Sequence, residues 1–172
     1  MVKDRSRVIQ TLKTQLSSLV NPDALSTLSA GDTIPSVILR TVEDSLFYLT
    51  RSVVEKGRVI VLVSTTCPAC EQSMVFMKDI VSRSRRGGFD SFFISVHAKE
   101  RTEIFRERHD IESLVLVGSD SLSRSRLKAN VVPQIILVGP QGVIRFNWVG
   151  IIDSVKYVAV IDSLQIEKEM SL

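Results

Sequence analysis

Cysteine is scarce in this chain: 172 residues hold only Cys67 and Cys70. They can form at most one internal disulfide, which excludes a secreted scaffold stapled by several bridges. Such a bond would close a very small loop and constrain little of the unfolded chain, so stabilisation is a poor reason for it. No run approaches the roughly 18 consecutive apolar residues of a membrane helix, and "MVKDRSRVIQ" lacks the apolar core of a secretory signal. Aromatics make up 6% and the net charge is +3, so the arginines of "VSRSRRGG" and "SLSRSRLKAN" do not amount to a nucleic-acid surface. "SRSRRGG" reads instead as a helix end, with basic side chains at the negative pole and Gly87 or Gly88 as the left-handed cap.

What is present is an ordinary folding composition, 44% hydrophobic and 24% charged, in a length suited to one domain. Val8, Leu12, Leu16 and Leu19 at helical spacing predict an amphipathic N-terminal helix that "NP" terminates, so residues 1–30 read as helix and linker ahead of a domain at 31–172. The runs Val37 to Arg40 and Leu46 to Leu49 around a polar turn predict a hairpin. "GRVIVLVS" is continuously apolar and β-branched, the pattern of a strand buried on both faces. Met74, Met77, Ile80 and Val81 then share one face of a helix. "DSFFISVHA" and "SLVLVGS" read as strands, "KERTEIFRERHD" and "DSLSRSRLKAN" as helices, and "VVPQIILVGPQGVIRFNWVG" as a closing hairpin. "DSVKYVAVIDSLQIEKEM" is a final helix with Asp153 or Ser154 as N-cap. The alternation implies crossover connections and a mixed sheet with helices on its faces.

The cysteines therefore fall between a buried strand and a helix. A thiolate is the attacking species in disulfide exchange, and the unpaired N–H groups at a helix N-terminus stabilise it. Cys67 occupies that position, and Cys70 lies one turn on, near enough to close or resolve a disulfide. Pro68 suits the first helical turn, where its missing N–H costs nothing. The same spacing would serve half a zinc site, but the remaining ligand candidates, His97 and His109, match no compact finger pattern. A buried, reduced, purely structural pair is the other alternative.

Strand, "TCPAC", long helix and the later "NVVPQIILVGPQGVI" together resemble the thioredoxin superfamily. Within it the opening "GDTIPSVILRTVEDSLFYL", a Gly-Asp-x-x-Pro segment leading into a hairpin, is similar to the TlpA/ResA-like thiol-disulfide oxidoreductases. That resemblance spans residues 31 to about 165 and implies an α/β thioredoxin-like fold, with a central mixed sheet flanked by helices and an N-terminal hairpin extension. It further implies Cys67 as nucleophile, Cys70 as resolving thiol, and support from Thr66, Pro68 and Ala69. Val132 and Pro133 match the family's cis-proline segment, whose backbone pairs with extended substrate. Thr66 stands where an aromatic residue is common, and Gln134 where threonine is frequent. The family's buried carboxylate has no counterpart on the central strand, and Glu71 reads as solvent-facing.

A thiol peroxidase of peroxiredoxin type would want threonine three residues before the cysteine in a proline-led motif; Ser64 stands there without the proline. A copper-carrying module similar to the Sco-like proteins would want three residues between its cysteines and a late histidine, whereas His97 and His109 both precede Pro133. The expectation is accordingly a monomeric enzyme without cofactor or metal, acting on protein thiols and disulfides. The resemblance implies work outside the cytoplasm, periplasmic or on a membrane tether encoded upstream; a cytoplasmic reductase is the alternative.

Overall fold

A computed structural model describes residues 26–50 and 55–164. The amphipathic helix expected near the N-terminus and the last residues of the C-terminal helix lie outside the described residues. Within them the chain forms β1 (Val37–Thr41), β2 (Leu46–Leu49), β3 (Arg58–Val63), α1 (Pro68–Arg86), β4 (Asp90–Ser95), α2 (Lys99–Arg108), β5 (Val115–Val117), α3 (Ser121–Arg126), β6 (Gln134–Val138), β7 (Ile144–Val149) and α4 (Ser154–Ser163).

The seven strands make one sheet in the order β2-β1-β5-β4-β3-β6-β7. β3 and β4 are parallel, as are β4 and β5, and β6 runs antiparallel to β3. The expected hairpin is β1–β2, and it joins this same sheet through Arg40 opposite Val117 and Thr41 opposite Leu116. From Val59 to Val63, β3 shows why a strand can be continuously apolar. Val59, Val61 and Val63 pack with Met74, Met77, Ile80 and Val81 of α1 and with Val160 and Ile161 of α4. Ile60 and Leu62 point the other way, into a cluster with Leu39, Phe92, Ile94 and Leu127. Burial on both faces makes β3 the fixed base from which the cysteine turn springs.

Several boundaries move for local reasons. β4 stops at Ser95, and the Ser95 hydroxyl accepts the His97 N–H at 3.3 Å, so His97 sits in the connection to α2 rather than on the strand. α3 spans six residues, shorter than "DSLSRSRLKAN" suggests, because Leu127 caps it and Lys128 follows with φ 48°. Gly87 keeps a right-handed conformation after α1, and Gly88 supplies the positive φ. Asp153, not Ser154, caps α4, its carboxylate accepting the Lys156 N–H at 2.8 Å.

Gly57 precedes β3 with φ +111°, and a Cβ there would lie 2.2 Å from the Val138 carbonyl oxygen on β6. Gly57→Ala therefore combines a disfavoured backbone with a clash at the β3–β6 seam. The expected loss is about 2–4 kcal/mol of folding stability, read by denaturant unfolding; an unchanged midpoint would refute the close approach.

Candidate active site

β3 ends at Val63, and Ser64, Thr65 and Thr66 form the turn that hands the chain to α1. Cys67 is the N-cap, extended at φ −91° and ψ 115°, and Pro68 opens the helix. The Cys67 carbonyl accepts the N–H groups of Cys70 at 3.0 Å and Glu71 at 3.1 Å, starting the helical ladder beneath its own sulfur. No side-chain cap bond is made by Cys67. Its Sγ instead points across to the segment leading into β6 and donates to the Val132 carbonyl at 3.6 Å.

The two thiols, both free, occupy different environments. Cys67 is half-buried, so it is less open than a surface residue, because Val132 covers one side of it. Cys70 is fully enclosed at 0% exposure among Met74, Val63 and their neighbours. Burial pushes the Cys70 thiol up to about 12, with only the Ser64 N–H, 3.5 Å from its Sγ, favouring the thiolate. Cys67 and Glu71 add to the rise. At neutral pH Cys70 is a protonated thiol held in reserve behind Cys67.

Of the remaining expected residues, Thr66 and Pro68 are exposed beside Cys67, and Ala69 is half-buried. The Val132–Pro133 peptide bond is cis, with Val132 half-buried and Pro133 buried. Gln134 is fully enclosed, and its amide donates to Lys128 O at 3.0 Å and Val131 O at 2.6 Å while accepting from Asn147 Nδ2 at 2.9 Å. It thereby braces the segment carrying Val132. A serine missed by sequence reasoning closes the other side. The Ser73 hydroxyl donates to Ala69 O at 2.7 Å and accepts the Ile152 N–H at 2.9 Å, while Gly150 N–H reaches Pro133 O at 2.9 Å. The only hint of Ser73 was a hydroxyl on the apolar side of an amphipathic helix.

Glu71 is exposed, as its helical position suggests, and its carboxylate accepts from Arg108 Nη1 at 3.3 Å and lies 3.0 Å from His109 Nε2 at the end of α2. His97 and His109 do not join the cysteines in one ligand set. Among the described residues no group of three or more His, Cys, Asp or Glu could hold a metal ion, and no helix is long and apolar enough to cross a membrane.

A family model described as Redoxin matches residues 29–160. No curated protein matches the chain. Among solved structures, a protein from Chlorobium tepidum named for thiol:disulfide interchange, DsbE, is 17% identical, with 80% of this chain and 99% of that one covered at a TM-score of 0.67. The thioredoxin domain of a thiol-disulfide oxidoreductase from Bacteroides vulgatus is 17% identical, with 80% and 99% covered at 0.65. StoA from Bacillus subtilis is 10% identical, with 74% and 96% covered at 0.60. At these identities the likeness speaks for the fold.

Proposed function

Because the chain belongs to the redoxin family, a thioredoxin-like branch of oxidoreductases, we propose that it exchanges disulfides with protein substrates through Cys67 and Cys70. The observation that carries this reading is the asymmetry of the two thiols. Cys67 is half-buried at a helix start, and its neighbour one turn later is sealed at 0% exposure.

In the reducing direction the Cys67 thiolate attacks one sulfur of a substrate disulfide. The substrate S–S bond breaks, one substrate thiolate leaves and takes a proton from solvent, and a mixed disulfide forms. Cys70 then gives up its proton, through solvent, to the departing substrate thiolate and attacks Cys67 Sγ. The Cys67–Cys70 bond forms, the second substrate thiolate leaves, and two electrons have passed to the substrate. Cys70 being difficult to ionise at rest, its attack belongs after Cys67 is engaged in the mixed disulfide, when Cys67 no longer adds to the rise. Val132 and Pro133 would border the extended substrate segment, with Thr66, Pro68 and Ala69 shaping the ground around the nucleophile.

The reading extends to a catalytic unit at 31–172 that acts as a monomer outside the cytoplasm, tethered through sequence upstream of it. A peroxidase is less well supported, since Ser64 is already engaged by His97 and Thr66. Incubating the reduced chain with insulin tests the activity. Loss of two chain thiols per insulin disulfide cleaved is expected, and absence of exchange with both insulin and glutathione disulfide would overturn it. Labelling intact source cells with a membrane-impermeant maleimide tests the location, with protection of Cys67 from the reagent counting against it.

A further inference from the structure

His97 touches neither cysteine, yet both of its ring nitrogens are spent on the turn that precedes them. Nδ1 lies 2.8 Å from Thr65 Oγ1 and Nε2 lies 3.2 Å from Ser64 Oγ. Ser64 is the residue whose backbone N–H meets Cys70 Sγ. Its hydroxyl also accepts the Thr66 N–H at 3.3 Å and lies 3.3 Å from Thr66 Oγ1. We infer that His97 is a positioning residue for the resolving step, clamping Ser64 so that its amide stays aimed at the Cys70 sulfur as that sulfur becomes a thiolate. The inference rests on the exchange reading above and adds to it a residue outside the motif.

The clamp is anchored at its far end. Thr102 of α2 and Ser95 of β4 are both fully enclosed. Thr102 Oγ1 lies 2.8 Å from Ser95 Oγ and 3.1 Å from His97 O, and Ser95 Oγ accepts the His97 N–H. The imidazole therefore stands on a fixed backbone and bridges the ends of two parallel strands, β4 behind it and β3 in front. A neutral imidazole carries one donor and one acceptor, and each hydroxyl it meets can play either part. Burial first, then Arg101 of α2 and Arg124 of α3, hold His97 below its usual range and so favour that neutral form.

Cys70 needs such help more than Cys67 does. Its thiolate must appear inside an apolar enclosure, where among the described residues the Ser64 amide is the only hydrogen-bond donor to its sulfur. If the turn drifts, that donor is lost and the attack on Cys67 Sγ slows, while the first attack, made by the less buried sulfur of Cys67, is little affected.

Dithiobis(nitrobenzoate) separates the two steps without any protein substrate. Cys67 attacks it and releases one nitrothiobenzoate anion, leaving a mixed disulfide. Cys70 then gives its proton to solvent and attacks Cys67 Sγ, releasing the second anion as the Cys67–Cys70 bond forms. In stopped flow, His97→Leu is expected to slow the second release by about tenfold or more, with the first changed less than about threefold. His97→Gln, which restores one donor and one acceptor, is expected to recover most of the second rate. An unchanged second release, equal slowing of both releases, or failure of His97→Gln to recover the rate while its melting temperature matches wild type would each overturn the inference. These phases are readable even if insulin is never reduced, so failure of the broader function would be seen separately.

Discussion

Cys67→Ser is expected to bring exchange with protein disulfides down to the uncatalysed background. A serine hydroxyl does not ionise at neutral pH and is a poor nucleophile toward sulfur. Cys70 cannot take over, being fully enclosed and pushed up to about 12. The fold should be untroubled, because the N-cap position of α1 is one where serine is favoured and where Cys67 makes no cap bond. An inactive variant with an unchanged or slightly raised unfolding midpoint is the expected pair of results. Retained insulin reduction would remove Cys67 from the nucleophile's role.

Cys70→Ser should have the opposite signature, arrest rather than silence. Attack by Cys67 survives and resolution does not, so mixed disulfides accumulate and persist for about minutes to hours, the time of unassisted disulfide rearrangement. Mass spectrometry under non-reducing conditions should show the chain plus one partner, and the adduct should vanish with dithiothreitol. If Cys67→Ser traps partners and Cys70→Ser does not, the two roles are exchanged. The serine hydroxyl enters an apolar enclosure, but the Ser64 N–H already aimed at that position gives it a partner, so the cost to folding should stay near about 1 kcal/mol.

Much of this is legible in the periodicity of the sequence. The unbroken apolar run of β3 demanded two buried faces, and Val61 and Leu62 do enter opposite clusters. The spacing of Met74, Met77, Ile80 and Val81 marked the inner face of α1, and all four are buried. The cysteine pair at the strand-to-helix junction followed from those two neighbours. Local spacing carries no such record of polar partners remote in the chain. Glu71 is exposed as its spacing suggests, but its partners Arg108 and His109 come to it only through the packing of α2. Gln134 looked like a departure at a position where threonine is common, and its meaning lies in Lys128, Val131 and Asn147, which the fold gathers around it. His97 likewise acquires its place only when β3 and β4 align, Val63 opposite Ser95.

The strand order also bears on how the chain reaches this state. β3, α1 and β4 follow one another directly, so the turn bearing the cysteines can form from contacts close in sequence. β6, with Val132 ahead of it, must come from far along the chain to lie against β3, and such distant pairings are the slow ones. During synthesis the sulfurs would emerge before the segment that covers Cys67 exists. In a chain with more cysteines that interval would invite wrong bridges. Here only two are present, and any bond closed too early within the chain is the same Cys67–Cys70 bond that the exchange cycle forms.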